Sequence, residues 1–322
     1  ATITDQTIVV PLGGVLAPGA STRLRVIFHA TLRSTTGGSD WFFTRANGIV
    51  ELYRAIPWVS LRRPFDRDNH GDPFVTPTAS RVTLKLTTDR PMIVALNAER
   101  TSVSANGKVQ TFVAEQVRDL PLAMAQDFRV STATVGGTQI RVYARPGAAT
   151  AALLAQARLA LTRIERLVGP YPWPRYTVVE SAGGYAMEGP GTSWIPRFTD
   201  PARYPYLVAH ETAHQWLPGL VGNDQWADPF ADEAVADMIA RTTLDERRAS
   251  RCPEGRLDLD ITRYSAGCYY EVIYIQGGNF LDSLRRQMGD ATFWAAMRGY
   301  LETHRHGLGS SRALLDALDA AT

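Results

Sequence analysis

Cysteine is nearly absent from this chain: Cys252 and Cys268 are the only two in 322 residues. Neither stands in C-x-x-C spacing or near a cluster of histidines, which argues against metal held by thiolates. They lie 16 residues apart around a polar, loop-like segment, RRASRCPEGRLDLD. Two readings of the pair stay open at this point: a disulfide closing the loop, as in an exported protein, and two buried free thiols. Long hydrophobic runs are also missing. No stretch approaches the roughly 20 apolar residues that span a bilayer, so no transmembrane segment is expected. No signal-like N-terminus is present, and a chain that opens on Ala1 without Met reads as a processed form, exported or otherwise cytoplasmic. Charge of one sign is never concentrated either. The 34 basic and 32 acidic residues give a net charge of +2 with no basic stripe, which excludes nucleic acid as the expected partner.

What remains is ordinary globular composition, with 45% hydrophobic and 20% charged residues. The length suggests two domains. Residues 1 to about 130 carry strand signals. VVPLGGVLAPGASTRLRVIFHATLRS holds two apolar runs split by a turn at Pro18-Gly19. SRVTLKLTTD alternates, with Val82, Leu84 and Leu86 on one face and Arg81, Thr83 and Lys85 on the other. PMIVALNAER, KVQTFVAEQ, FRVSTATV and TQIRVYARPG follow at short, regular spacing. The fold class read from this is α+β in two domains: an antiparallel β saddle or sandwich over 1–135, then a mainly helical domain with a small sheet over 136–322.

Composition changes near Gly147. AALLAQARLALTRIERLVG has Leu154, Leu161, Ile164 and Val168 on one helical face and stops at Gly169-Pro170. RYTVVESAGG and AMEGPGTSWIP read as extended pieces. A helix begins near Pro205 and ends at Pro218-Gly219. Asp228-Pro229 reads as the cap and first turn of the next helix. Further helices are expected around 270–288, 290–304 and 310–320.

The first of these helices carries His210-Glu211-Thr212-Ala213-His214. Residues four apart share a helix face, so His210 and His214 can offer both imidazoles to one metal ion, with Glu211 beside it. Glu233, across an 18-residue gap from His214 on the following helix, supplies a third ligand. Two histidines and a glutamate around an open position describe catalytic zinc, one ion per chain. Zinc lowers the pKa of its water to around 7. Glu211 would accept that proton and pass it to a leaving amine. Asp237, one turn beyond Glu233, is placed to take a hydrogen bond from a ligand histidine's other ring nitrogen, or is simply a solvated carboxylate.

With these residues in hand, the chain resembles the aminopeptidase N family of zinc metallopeptidases, the gluzincins. HETAHQW, the gap to Glu233 and Trp226 carry the likeness. GGYAMEGPG at 183–191 resembles the family's Gly-x-Met-Glu-Asn motif, which implies that Gly184, Tyr185, Ala186, Met187 and Glu188 border the substrate, with Glu188 holding its free α-amino group. YIQGGNF resembles the family's Tyr-x-Lys-Gly helix, which implies that Tyr274 donates to the oxyanion; Tyr269 and Tyr270 are the alternatives. LAPGASTRLRV, HGDPF and IRVYARPG are similar to bacterial members. The resemblance implies a thermolysin-like catalytic domain and peptides with a free N-terminus as substrates. Departures are Gly189 in place of Asn, Gln276 in place of Lys, and no large C-terminal helical domain within these residues. A thermolysin-like endopeptidase, differing only in what Glu188 does, is the near alternative. An inactive, family-derived binding protein is the alternative of another kind.

Overall fold

A computed structural model describes residues 1–3, 8–38, 40–61, 76–198 and 200–322. Within them the chain is α+β, with several sheets and six α-helices. The HGDPF segment falls outside the described residues.

A two-stranded ribbon pairs β1 (Thr2–Ile3) with β2 (Ile8–Val9). Then come β3 (Phe43–Ala46), β4 (Ile49–Leu52), β5 (Ala79–Thr87), β6 (Ile93–Ala95), β7 (Glu99–Val103), β8 (Val109–Val117) and β9 (Leu122–Ala125). They form two antiparallel sheets, ordered β3-β4-β9-β6 and β5-β8-β7. Successive side chains on a strand point to opposite faces, and the four-stranded sheet buries both. Val50, Val94, Leu122 and Met124 pack toward Phe112 and Ala114 of β8. Their neighbours Ile49, Ala95, Ala123 and Ala125 pack the other way, onto Tyr143, Val179 and Trp194. A strand buried on both faces reads as a continuous apolar run, and β9 does. By contrast β5 alternates as expected: Val82, Leu84 and Leu86 join the inner cluster while Arg81, Thr83 and Lys85 are exposed.

The expected strands in 11–32 are not formed. That stretch has no regular structure, and Val15, Ile27 and Phe28 are exposed. Its apolar pattern suits a strand, but it finds no ladder partner among the described residues, and Arg33 alone bridges to Thr44.

A third, five-stranded sheet is ordered β10-β11-β12-β14-β13, from β10 (Arg129–Val135), β11 (Thr138–Ala144), β12 (Arg175–Glu180), β13 (Met187–Gly189) and β14 (Thr192–Ile195). The strands β10 and β11 pair residue for residue through the Gly136-Gly137 turn, so a break at 135 would fall inside a hairpin. The β11–β12 and β12–β14 pairs are parallel and β13 runs antiparallel along the edge.

Helix α1 (Thr150–Val168) buries Leu153, Ala157, Ala160, Leu161, Ile164 and Val168, a stripe at helical spacing. The stripe runs through Leu153; Leu154, expected on it, is only partly buried. Gly169, at φ 100°, ends the helix in a conformation other residues disfavour. The others are α2 (Tyr204–Ala213), α3 (Glu233–Leu244), α4 (Gly277–Met288), α5 (Asp290–Thr303) and α6 (Ser311–Asp319). They share one core, in which Val208, Ala209, Ala234, Val235, Leu281, Phe293 and Leu314 are all buried.

The cysteines are joined. Cys252 and Cys268 form a disulfide with Cα atoms 5.9 Å apart, which closes the loop and removes the free-thiol reading.

Candidate metal centre

Proline fits the first turn of a helix because the missing N–H had no intrahelical partner there, and Pro205 sits in that position of α2. The rest of α2 is buried from Val208 to Ala213, so tertiary packing decides its structure. The α-helix ends at Ala213, earlier than Pro218-Gly219, because Leu217 leaves helical geometry at φ −140° and ψ 111°. The departure has a use. It turns the Leu217 carbonyl back to accept from His214 Nδ1 at 2.8 Å. That bond orients the ring and leaves Nε2 as its lone-pair atom.

Glu233 is the first residue of α3. The cap expected from Asp228 belongs instead to Asp232, whose carboxylate accepts from the Glu233 N–H at 2.7 Å. Asp228 stands ahead of a short turn at Pro229–Ala231 without capping it, and its side chain accepts from Ser311 N instead.

These elements bring the three expected ligands together. His210 Nε2 and His214 Nε2 are 3.1 Å apart, and each is 3.3 Å from Glu233 Oε2. Ligands at 2.0–2.1 Å around a tetrahedral ion lie roughly 3.3 Å from one another. The triangle therefore fits zinc. Two of its corners are buried and the third partly so. Burial alone would push Glu233 up, but the imidazoles of His214 and His210 outweigh it and hold the carboxyl below the usual range.

Glu211 lies one position round the helix and is buried. Its Oε2 has no hydrogen-bond partner among the described residues. Burial, and then the nearby Glu188 carboxylate, push the Glu211 carboxyl well up. A buried carboxylate without a partner is a proton acceptor waiting for a donor.

Tyr274 belongs to a wide helical turn, Tyr270–Gln276, that leads into α4. Its ring stacks on His210 with centroids 5.4 Å apart, and its hydroxyl interacts with Glu233. Burial, followed by Glu233, keeps that hydroxyl protonated. The two alternatives are neighbours: Tyr269 meets Tyr274 edge-on at 5.9 Å and Tyr270 lies at 4.6 Å.

Glu188, buried on β13, accepts from Gln225 Nε2 at 2.9 Å and acts electrostatically on Glu211, His214 and Tyr274. Glu188, expected from GGYAMEGPG, thus lies near enough to Glu211 and His214 to act on their charge. Around it, Met187 pairs with Trp194 on β14, Tyr185 donates to Glu51, Ala186 is partly buried and Gly184 is exposed. Gly189 is explained by packing. A Cβ there would come within 2.5 Å of Pro121 Cγ, so no larger residue fits this backbone position without a shift.

Asp237 does not do what its spacing suggested. Its oxygens accept from Tyr206 Oη at 2.5 Å and Arg241 Nε at 2.8 Å, while His210 Nδ1 has no partner among the described residues. It meets the site through Tyr206, whose ring stacks on His210 at 5.8 Å. Sequence reasoning missed Gln225, Asp232 and Tyr206. An Asp directly before a helix is a cap signal that could have found Asp232; nothing marked the other two.

No family model matches the chain. Over 140 residues it is 28% identical to aminopeptidase N of Lactococcus lactis, covering 36% of this chain and 16% of that protein. Over 134 residues it is 32% identical to aminopeptidase RNPEPL1 of Homo sapiens, covering 38% and 18%. The alanine/arginine aminopeptidase of Saccharomyces cerevisiae is 24% identical over 98% of this chain and 42% of its own length. The chain thus spans less than half the length of each of these relatives. In fold it is similar to the M1 zinc metallopeptidase from Deinococcus radiodurans, with a TM-score of 0.65 at 19% identity, covering 87% of this chain and 67% of that one. In sequence the chain is thus similar to aminopeptidase N and related aminopeptidases, and in fold to an M1 zinc metallopeptidase.

Proposed function

We propose that this chain is a zinc-dependent aminopeptidase that hydrolyses N-terminal residues from peptides. The observation that carries the reading is the His210–His214–Glu233 triangle, with Glu211 beside it and the Glu188 carboxylate facing it. The relatives named aminopeptidase support it. The two-unit reading is part of the proposal, with a β unit ahead of Arg129 and a thermolysin-like catalytic unit from β10 onward.

His210, His214 and Glu233 would hold the ion. When bound, zinc supplies Lewis acidity, which makes water a usable nucleophile near neutral pH. Glu211 accepts the proton at its unpartnered Oε2 and returns it to the leaving amine. The Tyr274 hydroxyl donates to the oxygen that gains charge, a contact that forms only in the transition state. Glu188 takes the substrate's ammonium, and so fixes how many residues reach the ion.

A peptide and its N-acetylated form separate this from an endopeptidase. The free peptide should be cleaved from its N-terminus and the acetylated one left intact, with a chelator stopping the reaction. Equal cleavage of both forms contradicts the aminopeptidase reading.

A further inference from the structure

Glu188 is a carboxyl group set among other carboxyl groups. Glu211, Glu233 and Asp232 are all close enough to interact with it electrostatically or through one another. What holds Glu188 in place is a neutral side chain. Gln225 Nε2 donates to Glu188 Oε1 at 2.9 Å, and Gln225 is itself buried. The same side chain interacts with Asp232, whose carboxylate takes the Glu233 N–H at 2.7 Å. A second amide sets the register of the hairpin from the other side. Gln215, next to His214, accepts from Gly191 N at 2.7 Å and donates to the Glu211 carbonyl at 3.1 Å.

We propose that Gln225 is the positioning residue for recognition of the substrate's ammonium group. It fixes the Glu188 side chain through Oε1 and leaves Oε2 to the amine. The inference rests on the reading of Glu188 as the amine anchor.

Charge is the reason an amide suits this place. An arginine or lysine would orient Glu188 equally well but would neutralise the charge that attracts the ammonium. An aliphatic side chain would leave a buried carboxylate with one hydrogen bond fewer among three other acids, and its rotamer would no longer be set. An amide orients without neutralising.

The test uses the zinc-loaded protein, a leucyl fluorogenic amide with a free amine, and its N-acetylated form as the non-recognised control. Gln225→Met removes the donor and keeps the length. Loss of a hydrogen bond to a charged group should raise KM for the free-amine substrate about 10- to 100-fold. At the same time kcat should change little and the zinc content should stay at one per chain. In a Glu188→Ala background the same substitution should cost nothing further, because the partner is gone. Gln225→Glu, of nearly the same size, should raise KM at least as much. Should the methionine variant not fold, the glutamate variant and its pairing with Glu188→Ala give the same comparison. An unchanged KM in a folded, zinc-loaded variant overturns the proposal, as does an equal loss with and without Glu188. If Glu188→Ala alone leaves KM unchanged, it is the amine-anchor reading that fails, and the role of Gln225 falls with it.

Discussion

The ring of Tyr274 lies stacked on the ring of His210, centroids 5.4 Å apart and planes 24° from parallel. The phenol therefore has two separable parts: a face that packs on His210 and a hydroxyl near enough to Glu233 to feel its charge.

Tyr274→Phe separates them. The ring and its stacking persist, so zinc content should be unchanged. Losing a donor made for the transition state should lower kcat about 100- to 1000-fold with little change in KM. Steady-state kinetics with metal analysis checks this. An unchanged kcat would move the role to Tyr269 or Tyr270.

Asp237 is predicted to matter for stability more than for the ion. Its carboxylate is buried with Arg241 and accepts from Tyr206. Asp237→Ala strands a largely buried guanidinium and should cost about 3 kcal/mol or more. Tyr206→Phe removes two hydrogen bonds, to Asp237 and to Tyr270 Oη, and should cost about 1–2 kcal/mol. Denaturant midpoints measure both. An Asp237→Ala protein of unaltered stability that has lost its zinc would restore the direct histidine role.

Glu51 makes stability depend on pH. Its buried carboxyl, between the Ala182 N–H and the Tyr185 hydroxyl, is raised from 4.5 to about 7, mainly by burial. A folded pKa above the unfolded one means the neutral form favours folding. That stability is full below about pH 4.5 and is lost as the pH rises through about 7. The loss is on the order of 3 kcal/mol. Glu51→Gln should not show it, so its Tm should exceed that of the parent at pH 8 by more than at pH 5. Parallel Tm curves would contradict the assignment.

The Cys252–Cys268 bridge closes a loop whose ends lie 16 residues apart. Replacing both cysteines by serine should cost about 2–3 kcal/mol by the chain-entropy account. Gln276 should limit the local damage, since its amide donates to the Cys252 and Pro253 carbonyls and accepts from Gly255 N. Thermal unfolding of the double variant measures the loss.

Local rules carried the sequence far where one element determines geometry. The four-residue spacing of His210 and His214 is a property of any helix, and the alternation of β5 is a property of any strand with one buried face. Rules failed where two elements compete for a group. Asp237 has the right spacing from Glu233, but Tyr206 and Arg241, from the preceding helix and one turn on, reach it first. Asp228 has a cap's composition, yet Asp232 stands nearer the true helix start. The apolar pattern of 11–32 marks strand propensity, and a strand also needs a neighbour. Gln225 lies in a loop with no periodicity, so only the folded chain brings it to Glu188.

The central claim is that Glu211 moves a proton at a zinc site without holding the ion. Glu211→Gln tests it most directly, with zinc counted per chain and turnover measured on the same preparation. The predicted result is one zinc per chain with hydrolysis reduced to background. Retained turnover, or loss of the metal together with activity, would contradict it.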